Sequence, residues 1–468
     1  GSAGVEPFEL MVEAARAAAD DAAAPSLLRS VRSVAVPEGN WSYPDPGRLV
    51  AERVGAPGAA TIRADIGVPQ ATPVGLALSR IARGELDVAL VVGGEAMASR
   101  LRVRRAGGEP VETDQGDAEP DERWVPQGEL MAEAEIRAGI WAPVEQYACI
   151  DNALRHAEGR TVDEQLDEIA GLWARFNAVA TSNPAADFSE PRTAAFLRSA
   201  GPGNRPLASP YAKWHSTQWS VDQAGALLLC SVAAARDAGV PPDRWIHPHV
   251  ALESSHSLSM TRRADIHRWP AMEVLGRAAA AHLGRPVDGV EHVECYSCFP
   301  AAVRVQQREL GLPLDGTPTI TGGMPFAGGP LNNFTYQATA AMVGVLREHP
   351  DDLGMVTTVS GLLTKPGLTG WGARPAAAGP LVADLGAEAA AAAPSRGVTD
   401  AGDGVATVVT ATATYEGDEP ARAFVVADLD DGRRWIGTTE DPDLVRAVAT
   451  TDVIGTSVRV SGAGCGPV

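Results

Sequence analysis

Tyr296 and Cys298, two residues apart, carry the strongest chemical suggestion in this sequence. They follow a β-branched run and open onto a predicted helix. A thiol at a helix N-terminus can ionise and act as nucleophile or acid/base, and a phenol can donate to a developing oxyanion. Each also has a plainer reading, a buried structural cysteine and a core aromatic at a strand end. The glycine-rich run Thr321–Pro330 (TGGMPFAGGP) comes next, and Gly328 and Gly329 there let backbone approach a ligand closely. Asn332 is read both as a ligand contact and, with Asn333, as a cap of the following helix. His215, between Trp214 and Trp219, either reaches the same site from a neighbouring segment or is satisfied within the fold. Open α/β sheets place ligands just past strand ends. Tyr296 and Cys298, pointing to one side of an extended backbone, are therefore expected to line the sizeable polar pocket, facing Gly322–Gly329.

Other constellations exclude more than they offer. The pair His247 and His249 lacks a third ligand nearby, so no metal site is expected. Cys295 and Cys298 have CxxC spacing but no second pair, and the five cysteines read as reduced thiols of a cytoplasmic protein. The net charge is −20, from 59 acidic and 39 basic residues, and the basic run Arg102–Arg105 is short. Nucleic acid is thereby excluded as a partner. No apolar stretch reaches the roughly 18 residues that span a bilayer.

These residues need a frame. The sequence predicts one six-element pattern twice. The first copy runs helix 6–23, strand 30–36, helix 46–54, strand 61–66, helix 72–83, strand 87–92. The second runs helix 270–283, strand 290–295, helix 299–310, strand 317–321, helix 333–348, strand 353–359. Helices carry apolar residues at i, i+3, i+4, and the strands are short β-branched runs. Each copy is about 90 residues, the size of one layered α/β unit. Between them lie an acidic loop (105–123), a helical insertion (128–197) with Trp173 and Phe176 on the apolar side of its longest run, and a predicted helix 222–238. Residues 372–397 read as an Ala/Pro/Gly-rich linker. Beyond it, alternating runs and an Asp431-Gly432 turn predict an all-β domain of about 70 residues, OB-like in character. The fold class is α/β, a duplicated layered core with a helical insertion and a small C-terminal β-domain. The boundaries are 1–104, 105–268, 269–371, 372–397 and 398–468.

Several segments resemble the thiolase superfamily. LALSRIARGELDVALVVGGEAMAS (76–99) resembles the helix, strand and turn that follow the thiolase nucleophile. YSCFPAAV (296–303) is similar to the HDCF loop of sterol-carrier-type thiolases, TGGMPFAGGP to the segment bearing the GHP motif, and PYAKWHSTQWSVDQAGALLLCS (210–231) to the segment ending in DGAA. With the β-tail, the chain resembles actinobacterial thiolase-like, acetyl-CoA-acetyltransferase-like proteins that carry an additional C-terminal domain. The resemblance also implies a strand before the first helix, whereas this sequence opens on that helix.

The resemblance implies a five-layered core and acyl-CoA or CoA as partner, with a CoA thioester as substrate or ligand and no cofactor. It implies a monomer or homodimer, monomeric where the extra domain covers the family's dimer face. It places the nucleophile at Gly67 or Val68, yet no cysteine precedes Cys149. The GHP histidine corresponds to Gly329, the HDCF histidine and acid to Tyr296 and Ser297, and the CxG segment to Val359-Ser360-Gly361; the HDCF cysteine persists as Cys298. An acyl-cysteine step is therefore not expected. Three functions stay open: an acyl-CoA-binding relative of the acyltransferases without ordinary thiolase activity, a retro-aldolase acting on β-hydroxyacyl thioesters, and a non-catalytic scaffold. Retro-aldol cleavage needs acid/base groups and an oxyanion hole but no acyl-cysteine.

Overall fold

Prolines at first helical positions and left-handed glycines at C-termini punctuate the helices and fix many of the boundaries. The computed structural model describes residues 4–468. The first half runs α1 (Pro7–Asp21), β1 (Ser33–Pro37), α2 (Pro46–Val54), β2 (Ala60–Ala64), α3 (Thr72–Ala82) and β3 (Val88–Ala96). Next come α4 (Met97–Arg105) and β4 (Glu122–Trp124). The insertion holds α5 (Glu133–Ala138), α6 (Pro143–Ala157), α7 (Val162–Ser182), α8 (Ala194–Arg198) and the small hairpin β5 (Pro206–Ala208) and β6 (Tyr211–Ala212). The chain returns through β7 (Asp222–Cys230), α9 (Val232–Asp237) and β8 (His247–Glu253). The second half is α10 (Pro270–Leu283), β9 (His292–Glu294), α11 (Pro300–Leu310), α12 (Phe334–Glu348), β10 (Leu353–Ser360) and β11 (Lys365–Gly372). It continues into β12 (Leu381–Asp384) and α13 (Gly386–Ala392). The tail holds β13 (Val398–Thr399), β14 (Gly402–Glu416), β15 (Glu419–Asp428), β16 (Arg434–Thr439), α14 (Pro442–Thr450), β17 (Ser457–Gly462) and β18 (Gly464–Pro467).

Two five-stranded sheets form the core, in the orders β4-β2-β1-β3-β7 and β12-β8-β11-β10-β9. Every residue of β1, β3 and β11 is buried, as expected for strands covered by helices on both faces. Helices α1 and α2 cover the outer face of the first sheet, α3 and α12 lie between the sheets, and α10 covers the second with α11 beside it. These are the five layers the sequence predicts.

Three segments differ from the sequence reading. Residues 222–230, predicted helical, form β7, which pairs antiparallel with β3 from Ala96↔Asp222 to Val88↔Cys230. The long buried edge of β3 overrides the helix-forming run, and Gly225 lets α12 approach so closely that a Cβ there would sit 2.8 Å from the Gln337 nitrogen. Residues 317–321 form no ladder strand. The buried Glu294 carboxylate binds them instead, accepting from the Ile320 and Thr321 N–H groups at 2.7 and 2.9 Å and from the Thr319 and Thr321 hydroxyls. The stretch read as a linker supplies β12, which pairs parallel with β8, and then α13.

The tail closes on itself. β14 pairs with β15, β15 with β16, β16 with β18, β18 with β17 and β17 with β14, a five-stranded barrel. Helix α14 tucks Val445 and Val448 against it. Alternation along β15 gives it two duties. Ala423, Val425 and Ala427 face the barrel interior, while Phe424 and Val426 join the main core. Bonds from Thr410 to the Cys149 carbonyl, from Thr412 to the Ser209 carbonyl and from Asn152 to the Ala411 carbonyl fasten the barrel to the insertion.

Candidate functional site

The strand ends of the two halves converge where α3 begins. Ser360, at the end of β10, donates to the Val68 carbonyl at 3.1 Å and accepts from the Gln70 N–H at 3.2 Å. The Gln70 amide donates to the Tyr296 hydroxyl at 3.4 Å and accepts from Thr335 at 2.6 Å. Lys365, one of only two lysines in the chain, is fully buried and donates to the Gly67 carbonyl at 3.1 Å. Val68, Ser360 and Tyr296, far apart in sequence, therefore share one site. At Val68 that site offers a carbonyl and an aliphatic side chain, and no nucleophile.

Cys298 lies at the other end of the cluster. Burial pushes its thiol up to about 12, although a hydrogen bond from Tyr147 works the other way. Of the two readings of Cys298, its surroundings favour the buried thiol over the low-pKa thiolate, because desolvation is the largest influence on it. Tyr296 is likewise raised by burial, then by the neighbouring Cys298, and its ring meets Phe334 edge-on. Tyr147 and Tyr211 both stack on Phe299, at 4.6 and 5.7 Å between centroids, so Cys298 sits within a wall of phenols.

The space in front of Cys298 is filled by the protein itself. The backbone N–H of Thr217 donates to the Cys298 carbonyl at 3.0 Å, as does its hydroxyl at 3.2 Å. The Gln218 N–H donates to Met324 at 3.2 Å, and the Gly329 N–H donates back to Gln218 at 3.0 Å. This strap lies so close that a Cβ on Gly329 would sit 2.0 Å from Thr217 Cγ2. A side chain at residue 329 requires the Thr217 side chain to shift. Tyr296 and Cys298 are each only 8% exposed. Two cavities lie elsewhere, one at the start of α10 and one between α6 and the barrel, and neither is lined by these two residues. Where the sequence predicts a pocket, the structure has Thr217.

The other candidates divide. Gly328 stands beside Gln223, whose amide donates to the Ala327 carbonyl at 2.8 Å. Asn332 reaches away from the cluster to the Glu38 carbonyl at 2.8 Å, tying the two halves together. His215 does not reach the site. Its Nδ1 accepts from the Ala212 N–H at 3.0 Å and its Nε2 donates to the Leu197 carbonyl at 2.7 Å, with burial pulling it down to about 4. It is a satisfied core histidine. Sequence reasoning missed Gln70, Thr217 and Tyr147. Gln70 alone left a trace, a polar residue two positions past the expected nucleophile at a helix start.

Among solved structures, a monomeric SCP2-thiolase-like protein type 1 from Mycobacterium smegmatis superposes with a TM-score of 0.84 at 28% identity, covering 100% of this chain and 96% of that one. The Ltp2–ChsH2(DUF35) aldolase gives 0.58 at 20% identity over 79% of this chain and 94% of its own. Human mitochondrial 3-ketoacyl-CoA thiolase gives 0.55 at 17% over 78% and 92%. No family model and no curated protein matches the sequence. The layered core is the thiolase fold. The chain belongs to the thiolase superfamily, alongside its thiolase-like proteins. No helix among the described residues is long and apolar enough to cross a membrane.

Proposed function

We propose that this chain is an acyl-CoA-binding thiolase-like protein that does not carry out thiolysis. The observation that supports the reading is the close approach of Thr217: a side chain at Gly329, where the resemblance puts the base, would collide with it, and the resemblance puts the nucleophile at Gly67 or Val68, neither of which can act as one. A neutral, buried Cys298 offers no substitute nucleophile. Groups of this kind act as a unit, so losing the nucleophile and its base together removes most of the rate advantage. The ligand class rests on the thiolase fold. Calorimetric titration with CoA and acetyl-CoA, alongside a thiolysis assay on acetoacetyl-CoA, tests it. Binding without turnover is the expected result. A trapped acyl-enzyme overturns the non-catalytic half, and absence of heat with both ligands overturns the ligand class and leaves a scaffold.

A second reading rests on the phenols around Cys298 and on the likeness to an aldolase. On this reading Tyr147 and Tyr296 would serve as hydrogen-bond donors to a thioester enolate. Cleavage of β-hydroxyacyl thioesters, sought by product analysis, would favour this reading over simple binding.

A further inference from the structure

The cavity at the start of α10 belongs to none of the chemistry above. It measures about 40 Å³, and at roughly one water per 10–15 Å³ of such space it has room for about three waters. Leu258, Trp269 and Pro394 form apolar walls, while Arg263, His256 and Asp265 supply the polar ones. Arg263 is 3% exposed, and its Nε and Nη2 are committed to the carbonyls of Leu258, Leu362 and Leu363. Its Nη1 is buried with no partner, and so is Nε2 of His256. The carboxylates whose charge Arg263 feels are engaged elsewhere, Glu135 with Thr261 and Glu309 with Arg268 and the Trp269 N–H.

The guanidinium is also fixed in place. Arg434, from the barrel, donates to the Arg263 and Ala264 carbonyls, and Ala264 and Arg262 pair with residues 394 and 396. Burial pulls Arg263 down to about 10, so it remains a cation at neutral pH. A buried cation with a free donor is an unmet demand for an acceptor. The first turn of α10, a helix of 14 residues, adds positive potential at the same place. Asp265 on the rim disfavours a dianion, and the apolar walls suit a short hydrocarbon tail.

We propose that this cavity binds a short-chain monocarboxylate, its oxygens accepting from Arg263 Nη1 and His256 Nε2. The site stands apart from the ligand class proposed for the central cluster. Its test is acetate titration into the full chain at constant ionic strength, read as the unfolding temperature, with sodium chloride and inorganic phosphate as the other arms. The expected result is a saturable rise with acetate that chloride and phosphate do not reproduce. Arg263→Met should abolish the rise, and His256→Leu should weaken apparent affinity about tenfold, the loss of one charge-assisted hydrogen bond. Ala393→Phe, which puts a ring into the cavity from a lining position, should also abolish the rise. If Arg263→Met does not fold, the other two variants decide. No saturable rise would mean the cavity holds only water. An equal effect of phosphate, or an acetate effect untouched by His256→Leu and Ala393→Phe, would equally overturn the proposal.

Discussion

Adding one methyl group at residue 329 should destabilise this protein, and removing one at residue 217 should undo the damage. The backbone at Gly329 lies outside the left-handed region, so only space forbids a side chain there. A Cβ would sit 2.0 Å from Thr217 Cγ2. Reaching ordinary contact requires the strap to retreat by more than about 1 Å, which breaks about two of its hydrogen bonds at ~1 kcal/mol each, with overpacking strain of ~1 kcal/mol besides. Gly329→Ala should therefore cost roughly 3 kcal/mol in urea unfolding followed by tryptophan fluorescence. Thr217→Ser removes the clashing methyl but keeps the hydroxyl that bonds the Cys298 carbonyl. In that background the same alanine should cost under ~1 kcal/mol, a coupling of about 2 kcal/mol. Equal cost in both backgrounds, or a Gly329→Ala protein within ~0.5 kcal/mol of wild type, would refute the filled-site argument.

His215→Leu should cost about 2 kcal/mol for its two lost hydrogen bonds while leaving CoA titrations unchanged. Because the folded state keeps this imidazole neutral down to about 4, wild-type stability should fall as pH drops from about 6.5 toward 4, and that part of the slope should vanish in the variant. Burial raises Glu95 to about 7 and leaves its Oε2 without a partner. The folded state binds this proton more tightly than the unfolded one, so its contribution is fully present below about 4.5 and lost as pH rises through about 7. Glu95→Gln should flatten that decline, worth up to ~3 kcal/mol at pH 8 by denaturant unfolding. Cys298 should resist iodoacetamide at pH 8 in the native protein and react only after unfolding, as mass spectrometry of the peptide would report; rapid native alkylation would contradict a buried, protonated thiol.

The layered core was legible because its helices announce themselves. Proline at the first position and glycine just past the end bound α2 and α10 in the sequence, and the apolar period in between needs no tertiary information. β7 was not legible, since a run such as AGALLLC suits a helix or a buried strand equally, and only the waiting edge of β3 decides. Residues 317–321 misled for a different reason. The N–H groups of Ile320 and Thr321 are met by one carboxylate, Glu294, and a side chain replacing a ladder leaves no period to read. At the site, the meeting of Val68, Ser360 and Tyr296 followed from the resemblance. Thr217 did not, because a plug from an insertion is set by shape in three dimensions and by nothing in its neighbours along the chain.

The double allegiance of β15 bears on how the molecule can be divided. One face of the strand fills the barrel and the other completes the main core through Phe424 and Val426, joined by Ile436 of β16. The tail is therefore not a tethered module that swings on a hinge. Expressed alone, it would present those three side chains to water as an adhesive patch, and the remainder would be left with a matching hole. Proteolysis near residue 397 should yield a nicked protein whose two fragments co-migrate until denatured. Evolutionary exchange of the barrel for another domain would require redesign of the core it abuts.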